Sequence, residues 1–207
     1  MGWIPKGWKA GFFSDIANIN PESWTKKSSP ETVLYIDLAN TKNGRINLVV
    51  PYDYSDAPSR ARRILKKDDT IIGLVRPGNR SFAYIQEDDL TGSTGFAVMR
   101  PAKQEYRSFL YLGLTQDDVI DYFAHIADGG AYPAIRPEVV ANLECAISSN
   151  EALKLFDSLV NPHLEKIGQN ERLGSELSKL RDSLLPKLLS GELRIPDPEN
   201  LIDEANA

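Results

Sequence analysis

The 207-residue sequence contains one cysteine, Cys145, and two histidines, His125 and His163. A single thiol excludes an internal disulfide framework and any zinc site built from several cysteines. Two histidines leave little room for imidazole chemistry. No apolar run approaches the roughly 18 residues of a membrane span, and the opening Met1-Gly2-Trp3-Ile4-Pro5-Lys6 lacks the apolar core of a secretory leader. The expected location is therefore cytoplasmic, with no membrane partner. Also missing are GxGxxG after a strand, GxxxxGK[ST], HExxH, GxSxG and CxxC. No catalytic residue, metal ligand or cofactor is assigned to this chain.

A positive surplus is absent too: 24 Lys and Arg stand against 29 Asp and Glu, a net charge of −5. That balance argues against coating nucleic acid by bulk field, but it leaves room for a local basic surface. Residues 1–149 hold 17 basic and 18 acidic side chains, residues 150–207 hold 7 and 11, so the excess acid is C-terminal. Residues 42–80 run the other way. Lys42, Arg45, Arg60, Arg62, Arg63, Lys66, Lys67, Arg76 and Arg80 face only Asp53, Asp56, Asp68 and Asp69 there, a local balance of +5. With 42% hydrophobic and 26% charged residues, the chain has the composition of an ordinary globular protein able to bury a core.

The fold class expected is α+β, in two parts. Residues 1–149 read as a mixed α/β domain. Thr32–Ile36, Arg45–Val50, Thr70–Val75, Ser81–Ile85, Thr94–Met99 and Ser108–Leu112 are short, β-branched or aromatic, and bounded by Gly, Pro, Asn or Asp, which predicts strands. Arg76-Pro77-Gly78-Asn79-Arg80 predicts a hairpin with a type II turn and arginines at its tip. Residues 57–67 predict a short basic helix. Thr115-Gln116-Asp117-Asp118 reads as a capped helix start, with Val119, Ile120, Phe123, Ile126 and Ala127 on its buried face and Gly129-Gly130 at its end.

Residues 150–207 read as one long helix with a short tail. Phe156, Val160, His163, Ile167 and Asn170 step by 4, 3, 4 and 3, and Leu173, Leu177, Leu180 and Leu184 by 4, 3 and 4. This is a seven-residue apolar repeat with a register shift between its halves. A stripe that long needs another helix to cover it, which predicts a coiled coil. Pro162 and Pro186 each remove a helical hydrogen bond and predict kinks. The stretch from Ile195-Pro196-Asp197-Pro198 onward reads as frayed or extended.

Among candidate sites, Gly92-Ser93-Thr94-Gly95 resembles a small phosphate-cradling loop but reads first as a turn. Cys145 reads as core, the histidines as packed or partly exposed side chains, and Asp68-Asp69, Glu87-Asp88-Asp89 and Asp117-Asp118 as polar turns or helix starts. The arginines remain. A guanidinium grips guanine O6 and N7, or a phosphate, with two bonds, while amide and hydroxyl side chains suit base edges and phosphates. On composition alone a solvated basic face explains them better than a DNA surface does.

Further residues, in their order along the chain, carry a resemblance. Ile4-Pro5-Lys6-Gly7-Trp8-Lys9, Ser59-Arg60-Ala61-Arg62, Asp69-Thr70-Ile71-Ile72, Arg76-Pro77-Gly78-Asn79-Arg80, Gly92-Ser93-Thr94-Gly95-Phe96, Met99-Arg100-Pro101 and Gly130-Ala131-Tyr132-Pro133-Ala134-Ile135 together resemble the target recognition domain of type I restriction–modification specificity subunits. The run from Leu180 to Leu193, with Leu184-Leu185-Pro186-Lys187-Leu188-Leu189 at its centre, is similar to that family's conserved helical region.

The resemblance implies a sequence-specific subunit without chemistry of its own. It reads double-stranded DNA through the domain at 1–149, and docks methyltransferase subunits, with restriction subunits as further candidate partners, through the helical region at 150–207. S-adenosylmethionine is then expected on the methyltransferase partner. The candidate DNA-binding residues are Arg60, Arg62, Arg63, Arg76, Asn79, Arg80, Ser93 and Thr94. The candidate dimer and partner residues are Phe156, Val160, Ile167, Leu173, Leu177, Leu180, Leu184, Leu185 and Leu188.

Members of the family hold two recognition domains and two helical regions, and this chain shows one of each. It resembles a half-length form, so an antiparallel coiled-coil homodimer is expected to rebuild the pair of readers around an inverted-repeat target. Two alternatives stay open: a coiled-coil interaction protein that never meets DNA, and a truncated remnant.

Overall fold

The computed structural model describes residues 4–193. Its elements run β1 (Lys9–Phe12), β2 (Ala17–Ile19), β3 (Thr32–Ile36), β4 (Thr41–Lys42), β5 (Arg45–Ile46), β6 (Val50–Asp53), β7 (Ala61–Leu65), β8 (Thr70–Gly73), β9 (Phe82–Tyr84), β10 (Leu90–Ser93) and β11 (Phe96–Pro101). Then come α1 (Arg107–Leu114), α2 (Asp117–Ile126), α3 (Pro137–Ala141), β12 (Glu144–Ile147) and α4 (Asn150–Leu189). Two compact units divide inside α4, the first up to Leu164 and the second from Glu165.

The first unit is layered. One sheet has the order β6-β3-β10-β7, in which only β3 and β10 are parallel. The other, β2-β11-β8-β9, is antiparallel throughout. Successive side chains of a strand point to opposite faces, and β8 and β11 use both. Ile71, Phe96 and Val98 pack with Ile36, Leu65, Ile85 and Leu90 between the sheets. Ile72, Ala97 and Met99 pack on the other face with Leu110, Leu114, Ile120, Phe123 and Val140 of α1 to α3. Strands covered on both faces lose polar alternation, which explains the unbroken runs Thr70-Ile71-Ile72-Gly73 and Phe96-Ala97-Val98-Met99. Each large side chain buried there contributes about 1.5–3 kcal/mol.

Several expectations hold and others are overturned. β3 spans Thr32–Ile36 as read, and β8, β9 and β11 fall within or close to their expected segments. The expected strand at Ser108–Leu112 is instead part of α1, where Ser108, Leu110 and Leu114 turn inward. The expected basic helix at 57–67 is instead β7, an antiparallel neighbour of β10. Pairing with the sheet overrides the helix propensity of Ala, Arg, Leu and Lys.

The β8–β9 hairpin is present, but its connection is a 3-10 turn over Pro77–Asn79 and not a type II turn. The positive backbone angles fall on Arg76 (φ 49°) and Arg80 (φ 61°) and not on Gly78. Thr115 does not cap α2, whose N-cap is Gln116; its hydroxyl donates to the Tyr111 carbonyl at 2.7 Å and closes α1. His125 and His163 are both exposed.

α4 runs unbroken through Pro162 and Pro186. In the first unit its buried stripe is Leu153, Asp157, Asn161 and Leu164, not the expected line through Phe156, Val160 and His163. Phe156 and Val160 flank it half-buried, with the Phe156 ring edge-on to Phe109 at 6.4 Å.

The centre of the stripe is polar. Arg107 on α1 donates through Nε to both carboxylate oxygens of Asp157 at 3.1 and 3.2 Å, and through Nη1 to Asp68 at 3.1 Å. The Ser108 hydroxyl donates to Asp157 as well, and Tyr84 donates to Asp68 at 2.6 Å. Burial works against the Arg107 charge, but hydrogen bonds to Asp157 and Asp68 outweigh it and raise its pKa further.

In the second unit Ile167, Leu173, Leu177, Leu180, Leu185 and Leu188 are exposed, while Leu184 is half-buried. The last carbonyls of α4 are met by backbone N–H groups of Ser190, Gly191 and Leu193, with Gly191 at φ 74°. The tail read as frayed or extended lies outside the described residues.

Candidate nucleic-acid interface

A cleft of about 570 Å³ opens at the edge of the first unit and gathers residues far apart in sequence. β3 and β6 supply Tyr35, Val50 and Tyr52, because their antiparallel register pairs Tyr35 with Val50 and Val33 with Tyr52. The two tyrosine rings are thereby diagonal neighbours, 6.2 Å apart and edge to face at 66°. The loop after β3 adds Asp37, Leu38 and Asn40, and the hairpin connection adds Val75, Arg76 and Asn79. Arg60, Ser93, Gly95 and Tyr132 complete the lining together with Pro58, Ala39 and Ser81.

Arg76 is fixed by two stretches that meet in space. Its N–H donates to the Pro133 carbonyl at 2.7 Å, Ile135 donates to Leu74 at 2.9 Å, and Arg76 Nη2 reaches the Ala131 carbonyl at 2.9 Å. Its guanidinium lies over the Tyr132 ring at 4.7 Å. The Arg76–Arg80 and Gly130–Ile135 segments thus form one structural element. A left-handed conformation at a non-glycine residue costs of order 1–3 kcal/mol and persists where surrounding contacts enforce it, as these do.

Arg60 is held differently. Its carbonyl accepts from Thr94 N–H at 2.8 Å, while its exposed guanidinium makes no hydrogen bond or ion pair among the described residues. Asn79 likewise has no side-chain partner there. These two groups line the cleft together with Arg76.

The other candidates lie elsewhere or are committed. Ser93 is 2% exposed on the cleft floor and accepts from Gly95 N–H at 3.1 Å. Thr94 is exposed beside it. Arg62 donates to the Tyr54 hydroxyl and to the Ser59 carbonyl, with its guanidinium over the Tyr54 ring at 5.1 Å. Arg63 shares the inward parity of Ala61 and Leu65; it donates to Ser23 at 3.2 Å, and burial lowers its pKa. Arg80 turns away to Asn43, at 3.1 Å, and to Asp117. The arrangement therefore unites Arg60, Arg76 and Asn79, and leaves Arg62, Arg63 and Arg80 outside the lining.

Charge counting missed Tyr35, Tyr52, Tyr132, Asp37 and Asn40. The one sequence signal for them is Tyr132 inside Gly130-Ala131-Tyr132-Pro133-Ala134-Ile135; the rest depends on strand pairing. Asp37 Oδ1 accepts from the Asn40 backbone at 2.9 Å and from its Nδ2 at 3.1 Å. This fixes the amide at the mouth of the cleft.

Fold and cleft define a two-part module: an α+β domain with a basic, tyrosine-walled cleft, and a long helix with an exposed leucine ridge. Known proteins place it more narrowly. The chain is 25% identical over 182 residues to the type I restriction enzyme HindI specificity subunit of Haemophilus influenzae, covering 86% of this chain and 39% of that protein. It is 24% identical over 214 residues to the MjaIX specificity subunit of Methanocaldococcus jannaschii, covering 94% and 46%. The chain thus spans less than half the length of these curated relatives.

Among solved structures, the HsdS subunit of Thermoanaerobacter tengcongensis superposes with a TM-score of 0.61 at 25% identity, over 93% of this chain and 51% of that one. A chain from a study of complex assembly and conformational transition in the type I R-M system gives 0.65 at 24%, over 95% and 52%. The S subunit of M. genitalium gives 0.59 at 18%, over 88% and 46%. No family model matches the chain. The homologues of this protein are specificity subunits of type I restriction enzymes, and its fold is the HsdS fold.

Proposed function

We propose that this chain is a non-catalytic, sequence-specific DNA-recognition subunit of a type I restriction–modification complex. The observation that carries the reading is the cleft: the unpaired Arg60 from one segment and the Tyr132-stacked Arg76 and unpaired Asn79 from another converge beside tyrosine rings. Guanidinium, amide and aromatic groups in one place suit phosphate and base edges together. Descent supports it, since the homologues are specificity subunits.

The leucine ridge of α4 is the coupling surface in this proposal. Two copies pair their helices antiparallel through Leu173, Leu177, Leu180 and Leu184, and Leu185 and Leu188 meet methyltransferase subunits, which carry S-adenosylmethionine. The net charge of −5 confines DNA contact to the cleft face, so binding is local and strongly salt-dependent. A bipartite inverted-repeat target follows from the two-fold symmetry.

The test is selection of duplexes from a random library by the chain together with its methyltransferase subunit, followed by a salt titration. The expected result is enrichment of one split, inverted sequence whose affinity falls linearly in log–log salt. Recovery of no sequence, with a flat salt response, overturns the reading and leaves a protein-interaction role.

A further inference from the structure

We propose that the cleft is a receptor for a single nucleotide, taking a base into its tyrosine-lined interior and the attached phosphate against Arg60. Where that nucleotide is an extrahelical one from the duplex, the inference rests on the DNA-recognition reading; the cleft chemistry does not.

Shape is the first argument. The site is a concave recess, a shape that can enclose one small group. At about 570 Å³ it falls in the ordinary range of small-molecule pockets. The walls are the second. Tyr52 stands edge to face with the buried Tyr35 behind it, and Tyr132 carries Arg76 on its ring while remaining 70% exposed. Stacking on such rings contributes about 1–3 kcal/mol per base and accepts any base face.

Polarity is the third. Asp37 spends Oδ1 on Asn40, and its second carboxylate oxygen has no partner among the described residues. An unpaired carboxylate acceptor beside an amide favours a base with an exocyclic amino group on its pairing edge, adenine, cytosine or guanine, over thymine. Arg60 supplies the remaining requirement. Its unpaired guanidinium offers the fork that phosphate oxygens accept, and the Thr94 bond to its carbonyl holds the backbone at the rim.

The experiment has two arms. In the first, the intact chain is titrated with each 2′-deoxynucleoside 5′-monophosphate, and with inorganic phosphate, by nuclear magnetic resonance. Saturable shifts at Tyr52, Asn40 and Arg60 are expected, with dAMP, dCMP or dGMP at least about fivefold tighter than dTMP or phosphate. Arg60→Ala and Tyr52→Ala each weaken binding about fivefold or more, Tyr52→Phe retains it, and Asp37→Asn narrows the difference between bases. Thermal melting of each variant separates lost binding from lost folding.

In the second arm, 2-aminopurine is moved through the selected duplex. Fluorescence rising at one position, and lost in Tyr52→Ala, identifies the duplex as the source. Nucleotide binding without any bright position identifies free nucleotide instead, and the receptor stands. No saturation by any nucleotide up to about 10 mM, with every 2-aminopurine position dark, overturns the proposal while leaving duplex recognition intact. Nucleotide binding by a chain that selects no duplex does the reverse.

Discussion

Asp157→Ala is expected to be among the most damaging single changes in the first unit, although a heptad reading of α4 gives that position no weight. The carboxylate takes both Nε bonds of Arg107, an ion pair with Nη2 at 3.1 Å and the Ser108 hydroxyl. Asp157 is 7% exposed and Arg107 9%. Removing one member of a buried pair strands the other charge and typically costs about 3–5 kcal/mol. Here Arg107 keeps Asp68, which holds the figure near the lower end, about 3 kcal/mol. An unsatisfied Ser108 hydroxyl adds about 1 kcal/mol. With a urea slope of about 2 kcal/mol/M, the midpoint falls by roughly 1.5–2 M. Arg107→Met combined with Asp157→Leu removes both charges of the pair while Asp68 keeps its bond from Tyr84, and is expected to cost less than the sum of those two single variants, a coupling energy above about 1.5 kcal/mol. A single-variant cost below about 1 kcal/mol, or simple additivity in the double variant, would falsify the polar seam and return the anchoring of α4 to Leu153, Phe156 and Leu164 alone.

Arg60→Ala is expected to lower duplex affinity by about 1–3 kcal/mol without moving the urea midpoint, because its guanidinium has no partner to lose; Arg80→Ala, which breaks bonds to Asn43 and Asp117, is expected to lower the midpoint instead. Equal binding losses with unchanged midpoints in both variants refute that division. Leu177→Asp, at a position 56% exposed on α4, is expected to convert a dimer to a monomer in sedimentation equilibrium, since pairing would bury an unpaired carboxylate; a variant that still sediments as a dimer places Leu177 outside the interface. Burial, with the field of Asp15 added, pushes the Cys145 thiol up to about 11 from 9.0. A neutral acid favoured by the fold stabilises below pH 9.0 and loses that contribution as pH rises towards about 11, so at pH 9 the native thiol is expected to react with a disulfide reagent far more slowly than in urea, and equal rates sink the assignment.

What the sequence disclosed depends on the range of the interaction that decides each element. Thr32–Ile36 is legible because β-branched and aromatic residues between turn formers need no knowledge of their neighbours. Ser108-Phe109-Leu110-Tyr111-Leu112 is not, since a short aromatic-apolar run suits either period and only its packing under α4 and beside β8 and β11 makes it α1. β7 hid for a related reason. Ala61 and Leu65 point inward at strand spacing, but Arg63 between them breaks the apolar alternation because Ser23 receives its guanidinium.

The candidate interface shows the same division between local and distant information. Its cations were visible as a charge bias at 42–80, a property of contiguous sequence. Its tyrosines at 35, 52 and 132 were invisible, for it takes the β3–β6 register and the joining of the Arg76 and Tyr132 segments to set them around one cleft. Topology also selects among the cations, withdrawing Arg80 to Asp117 and Arg63 to Ser23 while leaving Arg60 unpaired. A basic stretch therefore identifies where positive charge is stored, and the residues able to receive a ligand are those whose charge the fold has left unspent. By that criterion Arg60, rather than either member of the Arg62-Arg63 pair, is the guanidinium the cleft leaves free for a ligand.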